Sequence, residues 1–169
     1  MKQQDSASLA VHELVKNLDY SLRLSGASRV LIASDKQGEG KSTFAENCLP
    51  LLSEIYKRKV LFITDQSANA IEGIDNLSSK DFAFLTGLKK EESQAQREAY
   101  MIELSKNYDV VFVDSSTLKR AEKTRLPKII VDGAILVRSS STVGSKRKPV
   151  TEEILDKEIP VIGIVYNEA

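Results

Sequence analysis

Four apolar residues, Val30-Leu31-Ile32-Ala33, run straight into Ser34-Asp35-Lys36-Gln37-Gly38-Glu39-Gly40-Lys41-Ser42-Thr43, which leads into Phe44-Ala45-Glu46-Asn47-Cys48-Leu49. A buried-strand run, a glycine-rich turn and a helix-compatible stretch, in that order, restrict the fold more than any other feature of the chain. Gly38 and Gly40 let backbone N–H groups close around phosphate oxygens, and the helix N-terminus adds its partial positive charge. The spacing assigns Lys41 to the β- and γ-phosphates and the Ser42 hydroxyl to Mg²⁺. Lys36, Gly38, Glu39, Gly40, Lys41, Ser42 and Thr43 are thus the candidate phosphate-binding residues. The general pattern G-x-x-x-x-G-K-[ST] is not fully met, because Asp35 stands where its first glycine would be.

Four more apolar runs follow the same plan: Val60 to Ile63, Val110 to Val113, Ala134 to Val137, and Val161 to Val165. They are continuous instead of alternating, as burial on both faces requires. Helix-like stretches at 42–57, 88–106, 118–127 and 146–157 lie between them. Strands alternating with helices predict an α/β, three-layer architecture: a mostly parallel sheet of about five core strands flanked by helices. Ahead of the first strand, Val11, Leu14, Val15, Leu18 and Leu22 form an i, i+3, i+4, i+7 stripe. Residues 1–24 are read as an amphipathic linker helix packed on the domain, and 25–169 as the P-loop nucleotide-binding domain. The stretch 67–87, polar and carrying Asn69, Gly73, Asn76 and Gly87, is expected to be mobile loop and short helix.

The formal net charge of +0 supplies no field that would draw the chain onto nucleic acid, so no nucleic-acid partner is expected. A single cysteine, Cys48, excludes an internal disulfide and fits a reducing compartment. No apolar run approaches the ~20 residues of a membrane span, and a cytoplasmic location is expected. His12, on the first helix and without a partner base or nucleophile, reads as a surface or packing residue. Cys48 reads as buried, and Lys146-Arg147-Lys148 as a solvated face.

Lys36 together with Gly38, Gly40, Lys41, Ser42 and Thr43 resembles the deviant Walker A pattern K-G-G-x-G-K-[ST]-T of the MinD/ParA-like ATPases. Within that group, Ile32 to Thr43 is most similar to the bacterial tyrosine kinases that regulate capsule and exopolysaccharide synthesis. Their usual form is T-S-x-x-P-G-E-G-K-S-T, with Gln37 here in place of the proline. Tyr108 to Ser115 resembles the Walker B segment y-D-x-v-i-i-D-t, Val131 to Val137 the strand a-D-g-v-i-l-V, and Pro160 to Asn167 the strand v-x-G-v-V-l-N. The resemblance implies ATP or ADP with Mg²⁺, Lys36 on the nucleotide, Asp114 near the metal beside Ser42, and Asn167 at the adenine. It also implies a membrane-embedded polysaccharide co-polymerase or chain-length regulator as partner, a homo-oligomer as the assembly, and a place at the inner face of the membrane.

The chain departs from the family where transfer and assembly are concerned. The second acidic motif, l-l-I-D-x-D-x-R, aligns with Leu61 to Ala68, so that Thr64 and Gln66 occupy its two acidic positions. Asp65 lies between them and reaches the metal only if the strand ends at Thr64. With that proviso the candidate catalytic residues are Lys41, Asp65 and Asp114. The following arginine is missing, the connection to the Walker B strand is short, and no tyrosine-rich tail follows Asn167. The ring-forming linker pattern E-x-x-R-x-x-R is not legible around His12 to Lys16. These losses favour a pseudokinase: an ATP-binding regulator of exopolysaccharide synthesis or export with weak or no kinase activity. An active tyrosine autokinase or ATPase, a MinD/ParA-like positioning ATPase, and a relic fold that binds no nucleotide stay open as alternatives.

Overall fold

The computed structural model describes residues 2–36, 38–64, 70–86, 93–115, 131–140 and 149–167. Six helical turns carry the amphipathic stripe of α1 (Lys2–Ser25), which buries Val15, Leu18 and Leu22. Its buried carboxylate Asp19 accepts from Arg58 Nε at 2.6 Å and from Arg23 Nε at 2.8 Å. Burial strengthens such charge-assisted bonds and makes them costly to break, so α1 is tied to the segment after α2.

From α1 the chain enters β1 (Arg29–Ala33), α2 (Lys41–Tyr56) and β2 (Val60–Ile63). There follow β3 (Asp75–Asn76), α3 (Ser79–Thr86), α4 (Gln94–Ser105), β4 (Val110–Asp114), β5 (Gly133–Ser139), α5 (Pro149–Asp156) and β6 (Val161–Asn167). The strands form one sheet in the order β3-β2-β4-β1-β5-β6, and every pairing is parallel. Successive strand residues point to opposite faces. Ile32, Phe112 and Ile135 pack with Phe44, Leu49 and Leu52 of α2 and with α1. Leu31, Val113 and Leu136 pack with Leu85 of α3, Met101 of α4 and Ile154 of α5. The result is the three-layer parallel architecture that the alternating runs imply.

Two expectations need correction. The sheet has six strands among the described residues instead of about five, because Asp75–Asn76 adds β3 at the edge beside β2. Both residues are exposed and polar, so no apolar run marked them. The helix expected over 88–106 is described only as Gln94–Ser105, and it starts at a capping box in which Ser93 Oγ and Gln96 Oε1 each accept the other's backbone N–H. The first helix, Lys2–Ser25, runs through nearly all of the 1–24 stretch read as helical. The helix expected over 118–127 lies outside the described residues, as do Lys146-Arg147-Lys148.

Candidate nucleotide site

β1 lies in the middle of the sheet between β4 and β5. The loop after β1, Asp114 at the end of β4 and Arg138 near the end of β5 therefore converge at the carboxyl edge of the sheet, where open parallel sheets hold their ligands. Gly38 and Gly40 both take positive φ, 83° and 99°, a region that side-chain-bearing residues rarely enter. Gly40 is the N-cap of α2, and α2 has neither a side-chain cap nor an acidic residue in its first turn. The first N–H groups of a helix need partners and carry partial positive charge. An uncapped N-terminus under a glycine loop is a seat for an anion.

The loop holds its own shape. Lys36 N donates to Glu39 Oε2 at 2.8 Å, and Glu39 is only 3% exposed. Ser34 Oγ donates to Lys36 O at 2.8 Å, while Lys41 Nζ donates to Ser34 Oγ at 2.7 Å. Lys41 is thus folded back along the loop, and Lys36 is exposed. Glu39 serves the loop's geometry through its carboxylate, a role its place in the motif did not reveal.

Ser42 and Asp114 line one small pocket together with Glu46, Ala45, Phe62 and Ile71. Asp114 is 5% exposed. A hydroxyl and carboxylates are hard oxygen donors of the kind Mg²⁺ prefers, and this ion usually keeps several waters and takes only one or two protein ligands. Accordingly, the lack of a cluster of three His, Cys, Asp or Glu side chains among the described residues does not conflict with it. Thr64, the first residue past β2, has a buried Oγ1 with no hydrogen-bond partner, an uncommon condition that bound water or ion contacts relieve. These residues fit a hydrated Mg²⁺. Asp65 and Gln66 lie outside the described residues. Glu46 was not singled out from the sequence, although it stands four residues after Ser42 and hence on the same helix face.

A second cavity of about 130 Å³ opens on the other side of the loop. Val11 and Leu14 of α1, Thr43, Asn47 and Cys48 of α2, and Tyr166 and Asn167 of β6 line it. Asn167 Nδ2 stands 3.5 Å from Glu39 O. The cavity is mainly apolar with a few amide and hydroxyl groups at its mouth, the usual make-up of a site for a flat organic ring. Burial pushes the Cys48 thiol up to about 12, so it lines the wall as an inert side chain. His12 is exposed, and its Nδ1–H donates to Ser8 O at 2.8 Å.

No family model matches the chain, and no curated protein sequence matches it. Solved structures do match, and they share the three-layer parallel α/β fold of this chain. Kinase domains of bacterial tyrosine kinases are among these neighbours. The kinase domain of the Escherichia coli tyrosine kinase ETK superposes with a TM-score of 0.62 at 17% identity, over 96% of this chain and 75% of that one. The BceF tyrosine kinase domain gives 0.62 at 18% identity, over 95% and 76%. A nucleotide-binding protein from Archaeoglobus fulgidus, solved in complex with ADP, gives 0.50 at 15% identity, over 92% and 72%. At these identities the likeness is one of fold.

Proposed function

We propose that the chain is an ATP-binding domain of the bacterial tyrosine-kinase type that binds Mg-ATP or Mg-ADP and transfers phosphate weakly or not at all. The observation that carries this reading is the uncapped N-terminus of α2 beneath a loop opened by Gly38 and Gly40, with the Lys41 ammonium folded onto the same loop.

In this reading, phosphate binding draws Lys41 from Ser34 to the β- and γ-oxygens, where its charge adds to that of the loop N–H groups. Ser42 and Asp114 hold the metal, which would supply charge neutralisation at the phosphates. Glu39 keeps the loop in its bound shape, so that little is lost to ordering when phosphate arrives. Thr43, Asn47 and Asn167 surround the base in the 130 Å³ cavity, and Asn167 offers both a donor and an acceptor to the ring edge.

Weak transfer follows from Thr64. At the carboxyl end of β2 a hydroxyl stands where a carboxylate would activate the attacking group. The wider role, regulation of exopolysaccharide or capsule synthesis or export with a membrane-embedded polysaccharide co-polymerase or chain-length regulator, rests on the motif resemblance. No helix among the described residues is long and apolar enough to cross a membrane, so in this reading the membrane is reached through that partner. Pull-down of the full chain with the cytoplasmic segments of such a membrane protein, with and without Mg-ATP, tests it. Nucleotide-independent failure to bind would remove the partner from the proposal.

A further inference from the structure

The residue that breaks the general phosphate-loop pattern is not idle. Asp35 occupies the position of the first glycine, yet its side chain is only 8% exposed and is directed away from the phosphate cradle into a cluster of donors. Thr151 N donates to Asp35 Oδ1 at 3.0 Å, and Thr151 Oγ1 lies 2.9 Å from Oδ2 and 3.1 Å from Oδ1. Arg138 Nη2 donates to Thr151 Oγ1 at 3.1 Å and lies 3.6 Å from Asp35 Oδ2. The Thr151 hydroxyl therefore stands between guanidinium and carboxylate, accepting from one and donating to the other.

Thr151 is the third residue of α5, so its N–H is one of those that an isolated helix leaves unsatisfied. Asp35 satisfies it from 116 residues away, as a local capping carboxylate would. On its other side, Asp35 is bonded covalently into the loop network. Ser34, just before it, receives the Lys41 ammonium, and the Lys36 carbonyl, just after it, receives the Ser34 hydroxyl. Any ligand that draws Lys41 off Ser34 alters the peptide units on both sides of Asp35. A buried carboxylate held by two donors of Thr151 and faced by the Arg138 guanidinium cannot drift gradually, since a half-broken arrangement leaves charge without compensation.

We propose that Asp35 is a positioning residue that couples occupancy of the phosphate loop to the N-terminus of α5 through Thr151 and Arg138. The proposal rests on the nucleotide reading above and goes beyond it by assigning the loop a second task. Because linkage between binding sites is reciprocal, whatever nucleotide does to α5, the clamp returns as affinity for nucleotide.

Hydrogen exchange of the full chain, with nucleotide binding measured separately by equilibrium dialysis, tests this. Mg-ADP is expected to slow exchange of the Thr151 to Ile154 amides about tenfold in the wild type, within the usual range for coupled sites. Asp35→Asn and Thr151→Val should still bind Mg-ADP, about tenfold more weakly by the same reciprocity, with the α5 response abolished. Thr151→Ser, which keeps the hydroxyl, should restore both; a merely structural role of the side chain would give no rescue tied to nucleotide. Wild type that binds Mg-ADP while α5 exchange stays unchanged overturns the coupling and leaves the nucleotide reading standing. An α5 response that survives in Thr151→Val and Asp35→Asn overturns it equally. Wild type that binds no nucleotide in the dialysis overturns the nucleotide reading, and the coupling with it.

Discussion

The backbone of Gly40 lies so close to the side chain of Asn167 that a Cβ on Gly40 would collide with the Asn167 amide and stand 3.0 Å from its Cγ. The turn before α2 and the last residue of β6 are therefore shaped against each other, 127 residues apart in sequence. Glycine is needed at position 40 twice over, for φ of 99° and for this approach.

Gly40→Ala should accordingly do more than cost the ~1–3 kcal/mol usual for a strained backbone position. It should displace Asn167 and abolish measurable nucleotide binding in isothermal calorimetry, with a lowered Tm. Asn167→Gly in the Gly40→Ala background should recover part of the lost stability, since it relieves the collision and not the φ strain. Equal Tm values for the single and the double variant would show that the contact carries no weight.

The cavity proposed to take the base gives a prediction that separates base from phosphate. Leu14→Trp should fill the 130 Å³ cavity from the α1 side, weakening ATP binding while leaving inorganic triphosphate binding within twofold or so of wild type. Asn167→Ala should narrow the preference for ATP over GTP, because an amide held in one orientation by Glu39 O presents its donor and acceptor to only one of the two ring edges. Competition against a fluorescent nucleotide reads both, and unaltered discrimination in Asn167→Ala would take Asn167 out of the base site.

The proposed catalytic weakness rests on Thr64, which places it under direct test. Thr64→Asp together with Gln66→Asp restores carboxylates at the two acidic positions and should raise ATP hydrolysis or autophosphorylation by about tenfold or more, at the lower end of what a general base supplies. Asp65→Asn should change turnover little. Brisk wild-type turnover that is abolished by Asp65→Asn would make Asp65 the base and the chain an active enzyme.

Stability should fall in acid through Asp132. Burial alone would raise its carboxyl, but bonds from Arg29 and from Ser28 outweigh that and hold it below the usual carboxylate range. A depressed carboxyl stabilises the fold above the unfolded-state value of about 4, and loses that stabilisation as pH falls through the lower folded value. Asp132→Asn should thus lower Tm at pH 7 and flatten its decline between pH 5 and pH 2, which a thermal melt series would show.

Much of the architecture was legible because strands buried on both faces leave unbroken apolar runs: each of the five runs became a strand. Asp75–Asn76 left no such trace, being polar, short and at the sheet edge. The left-handed turns of the glycine-rich loop were legible in the spacing of Gly38 and Gly40, since glycine enters positive φ readily. The surroundings were not. Leu14 shares a cavity with Asn167, and Asp35 meets Thr151, only through the fold, and no local spacing announces either pair. Glu46 and Asn47 are the exception, for each follows a motif residue, Ser42 or Thr43, by four positions and so shares its helix face.

If the loop from Ser34 to Thr43 binds the phosphates of Mg-ATP, equilibrium dialysis of Mg-ATP against wild type and Lys41→Ala will show it. Lys41 bonds to Ser34 in the loop's present shape, and its removal takes away the charge while both loop glycines and the Glu39 carboxylate are retained. Loss of a charge-assisted phosphate contact is expected to weaken binding by roughly 1.5–3 kcal/mol, or about 10- to 100-fold. Saturable, Mg²⁺-dependent binding in the wild type with that loss in Lys41→Ala is the predicted result. Absence of binding in the wild type, or the same affinity in both proteins, would contradict the assignment of this loop as a nucleotide site.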